Sequence, residues 1–107
     1  MVKVTYHRRA HRLTANGHAG SAEKGHDLVC AGVSCLVLTL ASNVAELSAS
    51  EHARHPITRL REGDAWVSCI PSPGKNSLVT MVFDVICTGF ELLQTLHPEN
   101  IQYSIVE

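Results

Sequence analysis

A chain of 107 residues that is 45% hydrophobic is long enough to bury one core, so we expect a single domain over residues 1–107. Its formal net charge of −1 provides no overall attraction to nucleic acid or to an anionic membrane, and we expect neither as a direct partner. Residues 1–11 lack an apolar run with a small-residue cleavage site, and polar residues interrupt the apolar run at 28–47. These features predict a cytoplasmic protein without a signal peptide or a membrane span.

Two short strands and a loop begin the chain. Residues 2–7 alternate apolar and polar side chains, which is the period of a strand. Residues 12–18 are predicted to pair back on them across a turn at 7–11. The small and polar residues at 19–25 then predict a loop.

A long apolar helix follows, from Asp27 to about Leu47. Asp27 is predicted to be its cap or a first-turn acid. Gly32 costs about 1 kcal/mol relative to alanine inside a helix, and such a glycine usually lets another backbone approach closely. The helix is apolar nearly all round, which indicates contact with the sheet on one side and with another helix or a second subunit on the other.

The second half of the chain repeats the alternation of strands and helix. Its predicted elements are a strand at 57–62, a strand at 65–71, a helix at 77–96 and a strand at 100–106. Gly63 and Asp64 form the turn of a hairpin, and Asn76 is predicted to cap the helix. The whole order predicts an α+β fold, a mostly antiparallel sheet of four to five strands with two long helices packed on one face (ββαββαβ).

His18 and Cys30 are the candidate catalytic residues. A helix that begins at Asp27 places Cys30 in its first turn, where free backbone N–H groups favour a thiolate. His18, at a strand end, is placed to take the thiol proton and later to protonate a leaving amine. Two other interpretations stay open: a cysteine that is simply part of the core, and a surface histidine in a chain that has seven.

Four neighbouring residues are candidates for supporting roles. Asp27 could cap the helix or orient the imidazole, and one carboxylate could do both. His26 is a second candidate base, ranked lower because it is expected to point outward. Ser34, one helical turn beyond the cysteine, either lines a pocket or hydrogen-bonds a helix carbonyl. Gly17 suggests that a backbone or a substrate passes close by.

The remaining cysteines do not suggest a metal or redox site. Cys35, Cys69 and Cys87 lie in apolar runs, where a thiol usually behaves as a small hydrophobic group. Their spacing fits no zinc signature, and the separation of Cys30 from Cys35 is too long for a two-cysteine redox motif. We therefore predict no metal and no cofactor.

The stretch GHAGSAEKGHDLVCAGVS, at 17–34, resembles the signature of the Prp family of ribosomal-processing cysteine proteases. Gly17, His18 and Ala19 match the first part of that signature, and the segment from Gly25 to Ser34 matches the second. The spacing between the histidine and the cysteine also agrees. Outside this stretch the similarity is one of length and element order.

This resemblance implies a catalytic dyad of Cys30 and His18 in a homodimeric α/β protein. It implies a substrate loop between the two, here containing Ala19, Gly20, Gly25 and His26, that moves when substrate binds. The implied substrate is the N-terminal extension of a large-subunit ribosomal protein. A competing hypothesis is a non-catalytic, dimeric, ribosome-associated binding module with a buried cysteine.

Overall fold

The predicted order of elements is confirmed by a computed structural model of the chain, which describes residues 1–17 and 26–107. The elements are β1 (Val2–His7), β2 (Arg12–Asn16), α1 (His26–Ala49), β3 (Ala53–Arg61), β4 (Asp64–Pro71), α2 (Asn76–Leu96) and β5 (Ile101–Val106). The predicted loop at 19–25 lies outside the described residues.

The strands form one sheet in the order β3-β4-β2-β1-β5. The hairpins β1–β2 and β3–β4 are antiparallel and are joined by an antiparallel pairing of β2 with β4. β5 pairs with β1 in the parallel direction. The sheet is therefore mostly antiparallel, as predicted, with one parallel pair.

One face of the sheet carries both helices and the core. Its strands contribute buried apolar side chains at alternate positions, among them Val4, Tyr6, Leu13, Ala15 and Val67. The helices bury Val29, Leu40 and Val44 of α1 and Val79, Phe83 and Phe90 of α2 completely. The opposite face is not covered by any of the described elements.

The two helices approach each other at a pair of glycines. A Cβ atom on Gly32 of α1 would lie 3.1 Å from both methyl groups of Leu93, and one on Gly89 of α2 would lie 2.5 and 2.8 Å from those of Leu36. The close neighbour of Gly32 is thus a leucine side chain rather than the backbone that was expected. Each glycine leaves room for a leucine of the other helix, and a larger side chain in place of the glycine would collide with that leucine.

Three predicted boundaries are wrong by a few residues, for local reasons. α1 begins at His26, so Asp27 lies inside the helix. Lys75 takes the cap position of α2 without a side-chain hydrogen bond, which leaves Asn76 as the first helical residue. β3 begins at Ala53, before the predicted start at 57, because a register irregularity lets this edge strand continue past Pro56.

By length and composition alone, two segments would pass as membrane spans: Leu28–Ala49 and Asn76–Leu96. The core helices of proteins that are not in membranes often pass the same test. Here both helices bury one side against the sheet and against each other. Of these two spans, 28% and 22% are buried in this way, and the outer side of each helix is exposed.

A polar contact ties the start of the chain to α2. The buried Tyr6 donates a hydrogen bond from its hydroxyl to Asp84 Oδ1 at 2.8 Å, and Arg8 donates from Nε and Nη2 to the same carboxylate at 3.1 and 2.9 Å. The hydrogen bonds from Arg8, and to a smaller extent that from Tyr6, hold the pKa of Asp84 below its usual range, against the opposing effect of burial. The ionised carboxylate is thus the form that the fold stabilises.

Replacing Tyr6 by phenylalanine is expected to lower the free energy of unfolding by about 1 kcal/mol at neutral pH. A depressed carboxyl pKa contributes stability above the unfolded value of about 3.9 and loses it as the pH falls further. The difference between Tyr6→Phe and wild type should therefore shrink below about pH 4. Urea unfolding at several pH values measures this. Tyr103→Phe is the control. The Tyr103 hydroxyl contacts the Cys87 thiol instead of Asp84, so the effect of its removal should not change with pH in this range.

Candidate active site

Cys30 lies half-buried on α1 and lines an open cleft of about 480 Å³. The cleft runs between the first half of α1 and the turn that joins β3 to β4. Val33, Ser34 and Val37 line it from the helix, and Gly17 lines it from the end of β2. The side chain of Cys30 packs against the core and also lines the cleft, so it is not a fully buried core cysteine.

The start of α1 changes the expected setting of this thiol. Since the helix begins at His26, Cys30 is its fifth residue and opens the second turn. The N–H groups of helical residues 26–28, which precede the cysteine, have no acceptor within the helix. The helix begins one residue before the predicted start, so Asp27 is a first-turn acid, the second of the two roles expected for it, and Cys30 follows the first turn instead of lying in it. Whether Asp27 orients an imidazole stays a prediction.

The four cysteines fall into two groups. Burial raises the pKa of the Cys69 thiol to about 11 and that of Cys87 to about 12, so both are inert thiols in the core. Cys35 is exposed on α1, contrary to the expectation that it behaves as a core residue. Of the two accessible cysteines, Cys30 is the one that lines the cleft.

Gly17 and Ser34 both line this cleft, and their supporting roles in catalysis stay predictions. Gly17 has a φ of +113°, and its N–H donates to the Gly63 carbonyl at 3.1 Å. A Cβ atom at this position would collide with the carbonyl oxygen of Met1, so the predicted close approach of a backbone is confirmed. Ser34 is exposed and lies one helical turn beyond the cysteine.

One wall of the cleft comes from the β3–β4 turn, which sequence reasoning did not connect with the site. Leu60, Arg61, Glu62 and Asp64 line it there. The side-chain amide of Asn16, oriented with its nitrogen as donor, reaches Asp64 Oδ1 at 3.2 Å. The hairpin itself was predictable from its glycine, but its position beside β2 follows from the sheet order, which has no local signal.

The remaining predicted site residues stay predictions. His18, Ala19, Gly20 and Gly25 lie outside the described residues, and His26 and Asp27 are placed as helical residues of α1. Within 1–17 and 26–107, no group of three or more His, Cys, Asp or Glu side chains converges on a possible metal position.

The Cys30 thiol lines an open cleft just after the start of a long helix. This arrangement is suited to a cysteine-dependent hydrolase. The family model of the cysteine protease Prp matches residues 1–102 of the chain. The protein is therefore a cysteine protease. It belongs to the Prp family.

Solved structures show the same fold. The ribosomal processing protease Prp from S. aureus, crystallised with a substrate peptide, superposes with a TM-score of 0.72 at 20% identity, covering 98% of this chain and 99% of that one. The same protease with a covalently linked product peptide gives 0.70 at 19% identity, with coverages of 97% and 96%. SMU.848 from Streptococcus mutans gives 0.66 at 24% identity, with 98% and 91% covered. No curated protein matches the chain in sequence.

Proposed function

We propose that this protease removes the N-terminal extension of a large-subunit ribosomal protein during ribosome maturation. The observation that carries the proposal is the Cys30 thiol at an open cleft, within a stretch that resembles the Prp signature. The structures of S. aureus Prp with a substrate peptide and with a covalently linked product peptide support it by similarity of fold. No cofactor is needed for this chemistry.

The proposed reaction has two steps. The Cys30 sulfur attacks the scissile carbonyl carbon and His18 protonates the departing amine, so the peptide C–N bond breaks and a thioester forms. His18 then takes a proton from water, which attacks the thioester and releases the new carboxyl end. The C–S bond of the thioester breaks, the Cys30 sulfur leaves as the thiolate, and the proton taken from water remains on His18 for the next cycle.

The cleft supplies the other requirements of peptide hydrolysis. Backbone N–H groups at residues 26–28 lack acceptors within the helix and are suited to hold the oxyanion next to the Cys30 sulfur. Gly17 and Ser34 border the space in which an extended peptide would lie. Ala19, Gly20, Gly25 and His26 belong to the segment that we propose closes on this peptide.

The direct test uses a peptide from the N-terminus of the host's large-subunit ribosomal protein, extended through the first residues of the mature form. Incubation with the purified protein should give one cleavage, detected by mass spectrometry as two fragments. The Cys30→Ser protein should give none under the same conditions. An intact peptide after prolonged incubation with folded protein, whose free Cys30 thiol has been verified by alkylation of a separate sample, would contradict the proposed substrate.

The competing function is a non-catalytic binding module for a ribosomal component. It shares the fold but needs no reactive thiol, so alkylation by iodoacetamide at neutral pH separates the two hypotheses. The protease is expected to lose its Cys30 thiol fastest, ahead of the exposed Cys35. Tryptic mass spectrometry reports both sites in one experiment, and Cys69 and Cys87 serve as unreactive references. Labelling of Cys35 before Cys30 would favour the binding module.

We also propose that the chain acts as a homodimer through the outer side of α2. The exposed residues Met81, Val85, Leu92 and Leu96, which are 58–70% accessible, recur at helical spacing along one stripe. α2 contains no Lys or Arg that would keep this stripe in water. Exposed apolar stripes of this kind are typical of interfaces between subunits.

Val85→Glu is expected to convert the dimer to a monomer, because it places a charge in the middle of the stripe. Light scattering coupled to size exclusion measures the mass of each species. Ile70→Glu, at a similarly exposed apolar position on the sheet, is the matched control and should remain dimeric. A wild-type mass equal to that of one chain would rule out the dimer.

We propose that the protein is cytoplasmic. All four cysteines are free thiols, and two of them are sealed in the core. Free cysteines are the usual state in a reducing compartment. A ribosomal protein as substrate requires the same location.

A further inference from the structure

The face of the sheet turned away from the helices is a continuous surface built from all five strands. Paired residues of neighbouring strands share a face, so the strand register defines it. Its three rows contain Arg61, Asp64, Asn16, Lys3 and Gln102; Arg59, Trp66, Thr14, Thr5 and Ser104; and Ile57, Ser68, Arg12, His7 and Val106. The pair of Arg54 and Ile70 extends it. We call this surface the open face.

The open face holds most of the positive charge of the chain. Of the nine Lys and Arg residues, five lie on it: Lys3, Arg12, Arg54, Arg59 and Arg61. Asp64 is the one carboxylate at its strand positions, and it is held by Arg59 Nε at 3.2 Å. Neither α1 nor α2 contains a Lys or Arg. Although the net charge of the chain is near zero, the positive charges are concentrated on the open face, and the two helices on the other face of the sheet contain no Lys or Arg.

Protection of a sheet edge explains part of this charge. Arginines on β3 discourage pairing with a strand of another molecule, because β3 is an edge strand. Arg12 and Lys3 lie on β2 and β1, which are flanked on both sides. Their charges have no such role, so the basic character of the interior strands calls for a different reason.

Trp66 lies near the centre of the open face between two guanidinium groups. The Arg12 and Arg59 carbons Cζ lie 4.9 and 5.5 Å from the centre of its ring. Its indole N–H donates to Ser68 Oγ at 2.9 Å, which fixes the orientation of the ring. Arg12 Nε is buried without a hydrogen-bond partner among the described residues. Both guanidinium groups lie over the ring, so a planar base would stack on the indole in place of one of them, and the displaced cation would then contact an adjoining phosphate.

We propose that the open face binds single-stranded RNA, with Trp66 stacking on a base and with Arg12 and Arg54 contacting phosphates. An acidic protein segment would use the cations but would have no planar ring to place on the indole. The bases of a duplex are already stacked and cannot reach it. The choice of RNA rests on the proposed function, since a ribosomal protein is presented next to RNA. The proposal departs from the expectation that net charge excludes nucleic acid.

The test is fluorescence anisotropy of a labelled 12-nucleotide oligouridylate RNA titrated with the intact protein at 50 and 200 mM salt. Trp66→Ala should weaken binding at least tenfold, and Trp66→Phe should recover most of the loss, because phenylalanine also stacks. Arg54→Gln should weaken binding and reduce the slope of log affinity against log salt by about 1. Lys75→Gln, a cation at the start of α2 away from the open face, should bind as wild type.

The outcomes separate this proposal from the proposed function. RNA binding is measured without peptide, and Trp66→Ala should still cleave the free peptide, since Trp66 does not line the cleft. Circular dichroism checks that each variant is folded. Absence of saturable binding by wild type, equal losses in Lys75→Gln and Arg54→Gln, or unchanged binding by a folded Trp66→Ala would each overturn the proposal. So would tighter binding of a polyglutamate peptide than of the RNA.

Discussion

Replacing Cys30 by alanine is expected to lower the rate of peptide cleavage by at least about 10³-fold, because no other group in the cleft can form the thioester. The fold should persist, since the side chain is half-buried and only a thiol is removed. Cleavage of the ribosomal-protein peptide, followed by chromatography, measures the activity, and Tm measures the fold. Cys30→Ser should be equally inactive, because a hydroxyl is a far weaker nucleophile without a stronger base.

The exposed Cys35 provides the matched control for this prediction. It lies on the same helix, five residues further on, and does not line the cleft. Cys35→Ser should therefore keep full activity. Substantial cleavage by a folded Cys30→Ala protein would falsify the assignment of the nucleophile, and loss of activity in Cys35→Ser would point to a second thiol in the reaction.

Replacing His18 by alanine is expected to lower cleavage by about 10²- to 10⁴-fold, the usual contribution of a general acid and base. Gly17, to which His18 is joined in the chain, lines the cleft that contains Cys30. The same substitution should slow the alkylation of Cys30 at neutral pH, because the histidine is proposed to take the thiol proton. Activity and alkylation rate should therefore fall together.

His26→Ala is the control that distinguishes the two candidate bases. His26 is the lower-ranked candidate base, and the His26→Ala protein should retain most of the cleavage activity. Added imidazole should restore part of the cleavage by His18→Ala, since a free base can enter an open cleft and replace the missing one. A larger loss of cleavage activity in His26→Ala than in His18→Ala would indicate that His26 is the catalytic base. Equal activity of His18→Ala and wild type would contradict the proposed dyad of Cys30 and His18.

Most of the secondary structure is predictable because the period of the apolar residues reflects which side of each element is buried. The alternation at 2–7 and the steps of three and four after Asn76 each identify their element. The predicted element boundaries are wrong where the backbone continues an element beyond the residues that show its apolar period. His26 joins α1 ahead of its apolar stripe, and β3 extends past Pro56 because an edge strand tolerates a residue without an N–H.

The candidate site is predictable as far as its residues are neighbours in the chain. Cys30, Ser34 and Gly17 belong to one continuous motif, and the structure brings these three to one cleft. The wall formed by Arg61 and Glu62 was not found, because these residues are distant in sequence and carry no motif. The exposure of Cys35 was missed because an apolar run around a helix does not show which of its sides remains uncovered.

The order of strands and helices, and the stretch from Gly17 to Ser34 that marks the family, follow from the amino-acid sequence, because both depend on neighbouring residues. Tertiary structure alone decided the strand order β3-β4-β2-β1-β5. That order sets the β3–β4 turn beside Gly17 and gathers basic residues from separate strands on the open face. It also brings Tyr6 to Asp84, 78 residues away. Such contacts depend on which strands pair across long separations, and no local pattern of side chains specifies that choice.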